Sequence, residues 1–178
     1  IGAELGERVS FSLGADLERI KWGVGQVQAL LNKNKDNQKL PPSLGVYLNI
    51  CIHNDVDRAA ELVRPGVGIF AHFTGMPGAN RDNINPVDQT VFDTLGKQYD
   101  KKRHGRGEAS HAQKMPIEFI ERFSLIGSAE KCIDRLLAIK KLGIERIFVI
   151  GPRPDHFGQE ADEAQARFAK EVIPALKD

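Results

Sequence analysis

One unbroken stretch, Phe123 to Pro152 (FSLIGSAEKCIDRLLAIKKLGIERIFVIGP), limits what this chain can fold into more than any other. Ser128 can accept a hydrogen bond from a free backbone N–H and so cap a helix. Glu130 complements the helix dipole in the first turn, and Lys140 and Lys141 complement it in the last. Ala129, Cys132, Ile133, Leu136 and Leu137 recur at helical spacing, whereas Glu130, Lys131, Asp134, Arg135 and Lys141 point elsewhere, so the helix has one buried and one wet face. Gly143 ends it. Ile147, Phe148, Val149 and Ile150 follow without alternation, the pattern of a strand covered on both faces, and Gly151-Pro152 stops that strand. A helix feeding a doubly covered strand is one step of a parallel α/β sheet.

The same grammar recurs upstream. Val9 to Leu13 alternates Val9, Phe11 and Leu13 with Ser10 and Ser12, Gly14 breaks it, and Asp16 can cap a helix whose stripe is Leu17, Ile20, Val24, Val27 and Leu31. Trp22 lies off that stripe and reads as packing at a helix edge or a subunit contact, with ligand stacking as the alternative. After the polar, turn-rich NKNKDNQKLPP, Val46 to Ile52 reads as a strand interrupted by Asn49, and Asn54-Asp55 offers the next cap. Pro65-Gly66 predicts a break, with a second helical piece over Val67 to Phe73. Thr74 to Asn85 is a loop, Asn85-Pro86 a helix start, and Pro116 to Arg122 one or two helical turns. Ala161, Ala164, Phe168 and Val172 describe a terminal amphipathic helix ending near Pro174. The expectation is three parallel strands in a single domain over residues 1–178.

Charge and cysteine content narrow the partners. With 25 basic and 24 acidic side chains the net charge is +1, which gives no large cationic field for nucleic acid or anionic lipid. Cys51 and Cys132 both sit inside apolar patterns, so buried free thiols and a cytoplasmic location are expected. No apolar run reaches the roughly 20 residues that cross a bilayer. The start, IGAELGER, has no signal-peptide architecture and no Met, which suggests a trimmed, processed or partial chain.

The run IGSAEKCIDRLLAIKKLGIERIFVIGP resembles the closing helix and strand of the luciferase-like monooxygenase superfamily, in particular its reductases that use the deazaflavin coenzyme F-420. VSFSLGADLERIKWGVGQVQAL resembles a family strand and its helix, LGVYLNICIHNDVDRAAELVRPGVGIFAHFTGM the next such step, and the segment around His104 to His111 a family linker. The resemblance implies the C-terminal part of an eight-stranded β/α barrel with outer helices, a fold that usually has about 250 residues or more. It also implies hydride transfer or oxygen activation on coenzyme F-420 or FMN with a small organic substrate. In the family the ring-facing strand, much of the substrate pocket and the phosphate-holding glycine turn come from segments upstream of those matched here. No catalytic residue is therefore assigned. The exposed edges of a partial barrel imply a homo-oligomer or association with an N-terminal half.

Ligands of such barrels sit at the C-terminal ends of strands. That geometry makes Gly14, His53, Gly151 and Pro152 the expected lining of a cofactor pocket. His53 is the imidazole at a strand end, available for proton transfer or polar contact, unless a loop carbonyl simply satisfies it. The most basic stretch, with Lys101, Lys102, Arg103, His104 and His111, reads either as a solvated mobile loop or as an electropositive lid over an anionic cofactor tail or substrate. His104 and His111 lack the i, i+4 spacing of a helical metal site, and no metal is expected. Gly127-Ser128 can meet an anion at a helix start, although ordinary capping explains it too.

Three functions compete on these residues. The first is the C-terminal portion of a luciferase-like oxidoreductase, inactive without the rest of its barrel. The second is a non-catalytic half-barrel or flavin-binding assembly module. The third is a phosphate-binding barrel enzyme of unrelated chemistry that shares only the strand-helix grammar.

Overall fold

The structure is a computed structural model that describes residues 6–33 and 40–177. Its centre is β2 (Ser43–Ile52), to which every other described strand is hydrogen-bonded in parallel: β1 (Arg8–Phe11), β3 (Leu125–Gly127) and β4 (Arg146–Ile150). Backbone N–H groups along a strand point alternately to its two edges. Ser43 N–H donates to the Glu7 carbonyl and His53 N–H to the Gly127 carbonyl, each at 2.9 Å. Ser43 and His53 are an even number of residues apart, so β1 and β3 share one edge of β2, β1 beside its first half and β3 beside its last. The Leu44 carbonyl accepts from Glu145 N–H at 2.9 Å, which puts β4 on the opposite edge.

The near-continuous apolar run of β2 requires cover on both faces, and helices supply it. Val46, Leu48, Ile50 and Ile52 pack with α1 (Leu17–Lys33) and α6 (Ala129–Lys141) through Ile20, Val24, Leu136 and Ile139. On the other face Cys51 joins a second cluster built by α2 (Val56–Gly75), α3 (Pro86–Gln98), α4 (Ser110–Gln113) and α5 (Ile117–Phe123). After β4 come α7 (Pro154–Phe157) and α8 (Gln159–Arg167), the latter running on through a wider π turn to Val172, which is fully buried. Each fully buried Leu or Ile in these clusters contributes about 1.5–3 kcal/mol.

Most helix starts follow the sequence. Asp16 Oδ1 accepts from Glu18 N–H at 2.9 Å, Asn85 Oδ1 from Val87 N–H at 3.2 Å, and Ser128 Oγ from Lys131 N–H at 3.3 Å. Gly143 leaves α6 with φ +86°. Five expectations need correction. The first strand stops at Phe11 and not Leu13, and β2 begins earlier, at Ser43. The three-residue β3 went unread because so short a run carries no period. The helix does not break at Pro65-Gly66, since α2 is continuous. Pro65 is buried, its ring packs close to Gly107, and Gly66 leaves room for Asn49, whose amide would lie 2.3 Å from an added Cβ. Tertiary contact on both sides thus offsets the ~3 kcal/mol cost of an interior proline. Finally, β4 is not covered on both faces: Phe148 and Val149 are 40% and 39% exposed, and among the described residues only β2 pairs with it.

Arginines and glycines hold the layers together. The Arg64 guanidinium, almost fully buried on α2, donates to the carbonyls of Ala112 (3.0 Å) and Met115 (2.7 Å). Arg19 reaches the carbonyls of Asn80 and Asp82 and lies 4.4 Å over the Trp22 ring, which makes Trp22 a packing residue. Where α2 crosses α3 the backbones nearly touch: a Cβ on Gly96 would be 2.1 Å from the Gly75 carbonyl oxygen.

Candidate functional site

At the C-terminal end of β4 an open cleft of about 360 Å³ lies between the strand and α8. Its floor is Ile50 and Val149, its mouth Gly151 and Pro152, and its far wall Ala164, Gln165 and Phe168. Val149 faces this side because it pairs in register with Leu48, whose side chain points to the α1 and α6 layer. The Gln165 amide donates to the Pro152 carbonyl at 3.2 Å and fixes the turn after the strand. A side chain at Gly151 would press on Gln165 Cγ at 3.3 Å, so a small residue is needed there for the turn and helix to approach. Its side chains are apolar apart from the Gln165 amide, main-chain groups add polar surface, and its volume is at the lower end of those that small-molecule sites occupy.

The other residues expected at the mouth are distributed more widely. His53 stands at the end of β2, but its Nδ1 lies 2.9 Å from the Asp55 carbonyl and accepts from Asp55 N–H at 3.0 Å, so its own turn engages that nitrogen. It is not among the residues lining the cleft. Gly14, at φ +75°, is buried beneath Phe123, whose ring carbon would be 2.6 Å from an added Cβ. Its neighbours Leu13, Asp16 and Phe123 line a small cavity of about 10 Å³, whereas Gly151 lines the cleft beside β4. The structure thus brings Gly151 and Pro152 together and leaves Gly14 and His53 elsewhere.

Charged groups cluster outside the cleft as pairs. Arg58 Nε donates to Glu160 at 2.9 Å, Arg153 Nε to Asp155 at 3.1 Å, and Arg167 Nε to Glu171 at 2.8 Å. These hydrogen bonds hold the Glu160, Asp155 and Glu171 carboxyls below their ordinary range, with the attraction of the same cations adding to the effect. Arg167 also reaches Asn54 Oδ1 at 3.3 Å, which links α8 to the end of β2. A second, more open cleft of about 380 Å³ runs between α2, α7 and the Gly105 to Gln113 segment, and Arg58, Arg106 and His156 line it opposite Glu61 and Glu108.

The basic stretch splits in two. Lys101, Lys102 and Arg103 form a single exposed turn capped by Asp100, whose Oδ1 accepts from Lys102 N–H at 2.9 Å. Gly105 is buried, and its carbonyl lies 3.4 Å from Arg153 Nη1, the turn that follows β4. His104 and His111 belong instead to an aromatic cluster with Tyr99 and His72: His111 is 2% exposed, and Tyr99 Oη is 2.6 Å from His104 Nδ1. Sequence reasoning missed Tyr99 and His72 altogether. The signal available was weak, three histidines within forty residues without metal spacing. Among the described residues no three His, Cys, Asp or Glu side chains gather as metal ligands.

Cys51 and Cys132 are free and buried, and burial pushes their thiols up to about 12 and about 11. No described helix is long and apolar enough to cross a membrane.

A family model described as luciferase-like monooxygenase matches residues 1–146. Nothing among curated proteins matches the chain. Two similar solved structures are a coenzyme F-420-dependent tetrahydromethanopterin reductase from Methanopyrus kandleri (18% identity, TM-score 0.62) and an F-420-dependent secondary alcohol dehydrogenase in complex with an F-420–acetone adduct (19%, TM-score 0.59). Each alignment covers 99% of this chain but only 47% and 46% of the other, so the chain spans about half the length of these enzymes. At that identity the likeness shows the fold: parallel α/β, of the kind found in luciferase-like barrel enzymes.

Proposed function

Since the chain belongs to the luciferase-like monooxygenase family, we propose that it forms part of an oxidoreductase in which coenzyme F-420 or FMN exchanges hydride with a small organic substrate. The observation that carries this reading is the cleft at the C-terminal end of β4, the end at which folds of this type hold their ligands. A bound cofactor would supply the hydride chemistry. The protein's part is to orient the reacting carbons and exclude water, and good positioning accounts for about 7–11 kcal/mol of a barrier.

The residues present fit a portion of such a ligand. Ile50, Val149, Pro152 and Phe168 offer an apolar surface suited to the edge of a flat ring or a small substrate, and the Gln165 amide is the polar group at the rim. For an anionic tail the available cations are Lys101, Lys102 and Arg103, since Arg58, Arg153 and Arg167 already hold carboxylates. We assign those three exposed residues, on the turn next to Gly105, to anion attraction. The grip on the ring belongs to further strands. The uncovered side chains of Phe148 and Val149 on β4 support docking of an N-terminal half or a second copy.

A second reading, a non-catalytic half-barrel or assembly module, is favoured by one observation: no side chain lining the cleft titrates. Fluorescence titration with coenzyme F-420 and FMN separates the two, run on residues 1–178 and on a chain extended by an N-terminal half. The oxidoreductase reading expects tight binding and turnover only in the longer chain. Neutralising Lys101, Lys102 and Arg103 should weaken binding there in a salt-dependent way. Binding without turnover of any small substrate by the longer chain supports the module. Affinity unchanged by the triple substitution at every salt concentration removes the basic turn from the site.

A further inference from the structure

The cluster around Tyr99 is built for neutral histidines. The Tyr99 ring is stacked on His72 of α2, with centroids 3.7 Å apart and planes 15° from parallel, and leans on His111 of α4 at 4.3 Å. His111 Nδ1 accepts the Asp100 backbone N–H at 3.3 Å, so the neutral ring carries its proton on Nε2. His72 Nδ1 is buried with no hydrogen-bond partner, while its other nitrogen faces the Leu95 backbone carbonyl of α3. A second proton on His111 would set two donors against each other. A second proton on His72 would leave a buried N–H without an acceptor, which costs about 1–3 kcal/mol. Stacking on a tyrosine face returns about 2 kcal/mol to a desolvated cation, against which stand both the orphaned donor and the cost of burying the charge itself. The neutral state wins at both rings.

We propose that residues 99–114 form a pH-operated strap, latched through His72, Tyr99 and His111 at neutral pH and released when those two imidazoles take up protons. The strap is placed to matter. Beyond the latch it carries Lys101, Lys102 and Arg103 outward, and through the Gly105 carbonyl it touches Arg153 on the turn after β4. At its far end Arg64 holds the carbonyls of Ala112 and Met115, so this end stays fixed when the latch opens.

The surrounding charges act in both directions. Lys101 and His104 face His72, and His72 and His104 face His111; only Asp100, beside His111, opposes. Desolvation is the largest cause and places both imidazoles below their ordinary value of about 6.5, against the Leu95 carbonyl at His72 and Asp100 at His111. The folded state therefore binds fewer protons than the unfolded one. Its stability is fully present above about pH 6.5 and is lost as pH falls through the depressed folded values.

Amide hydrogen exchange on the full chain, corrected for its intrinsic pH dependence, tests this between about pH 7.5 and about pH 5, where free histidine titrates. Protection over residues 99–110 should fall on acidification by about tenfold for each unit by which a pKa is depressed, while α6 holds its protection. In the double variant His72→Phe, His111→Asn, which keeps the stack and the acceptor for Asp100 N–H, the fall should vanish. Constant protection in the wild type, or an undiminished fall in the variant, overturns the proposal. If the variant does not fold, imidazole proton titration of the wild type decides: His72 and His111 midpoints at the ordinary value refute the latch, and midpoints below it support it.

Discussion

Replacing Arg135 by alanine should be among the most damaging single changes in the chain. Its guanidinium leaves α6 and donates to four main-chain carbonyls, those of Glu121 (2.8 Å), Ser124 (2.7 Å), Arg122 (3.0 Å) and Ala15 (3.2 Å). These carbonyls belong to the end of α5, the approach to β3 and the segment after β1, so one side chain ties together the three segments that meet on the β1 edge of β2. Burial lowers the Arg135 pKa from its ordinary value, although the group stays cationic at any physiological pH. Charge-assisted hydrogen bonds contribute about 1.5–3 kcal/mol each in isolation. The four share one donor group, and water would reach some of the orphaned carbonyls, so a total loss of about 3–4 kcal/mol is expected for Arg135→Ala. Arg135→Lys offers a point charge without the planar fork and should lose roughly half of that. With a urea slope of about 2 kcal/mol/M, the alanine variant's midpoint falls by about 1.5–2 M at unchanged slope. A shift under about 0.5 M, again at unchanged slope, would show that the clamp is dispensable and that packing alone sets this junction.

Two further outcomes follow from close packing. Gly96→Ala places a carbon 2.1 Å from the Gly75 carbonyl oxygen, so α2 and α3 must separate; a loss of about 3 kcal/mol is expected by chemical denaturation, against near neutrality for Gly25→Ala, where an added Cβ meets nothing. Because burial raises the Cys51 and Cys132 thiols to about 12 and about 11, a thiol reagent at about pH 8 should modify neither in the native chain and both after denaturation. Rapid native labelling would mean that the core around Ile50 and Leu136 opens far more easily than its burial implies.

Much of the local structure was legible because its causes are local. Asp16, Asn85 and Ser128 cap the helices they were read to cap, since a side-chain oxygen two or three residues from a free N–H needs no distant partner. The apolar run of Val46 to Ile52 announced a strand, and it is the hub of the sheet. The same pattern misled at Ile147 to Ile150, because a run of apolar residues records that cover is required without saying whether these residues provide it. Pro65 misled in the opposite direction: its local cost is real, but the contacts of its ring with Gly107 and of the adjoining Gly66 with Asn49, distant in sequence, outweigh it.

The sequence by itself determined the parallel α/β class, the helix caps, the buried thiols and the family resemblance that the comparisons bear out. Tertiary structure alone decided which edge of β2 each strand takes, that Gly151 and Pro152 share a cleft while Gly14 lies under Phe123, and that His72 and His111 flank Tyr99. Capping and periodicity act within a few residues of chain. Strand order and side-chain clusters arise from pairings between segments up to a hundred residues apart, whose partners no local pattern names.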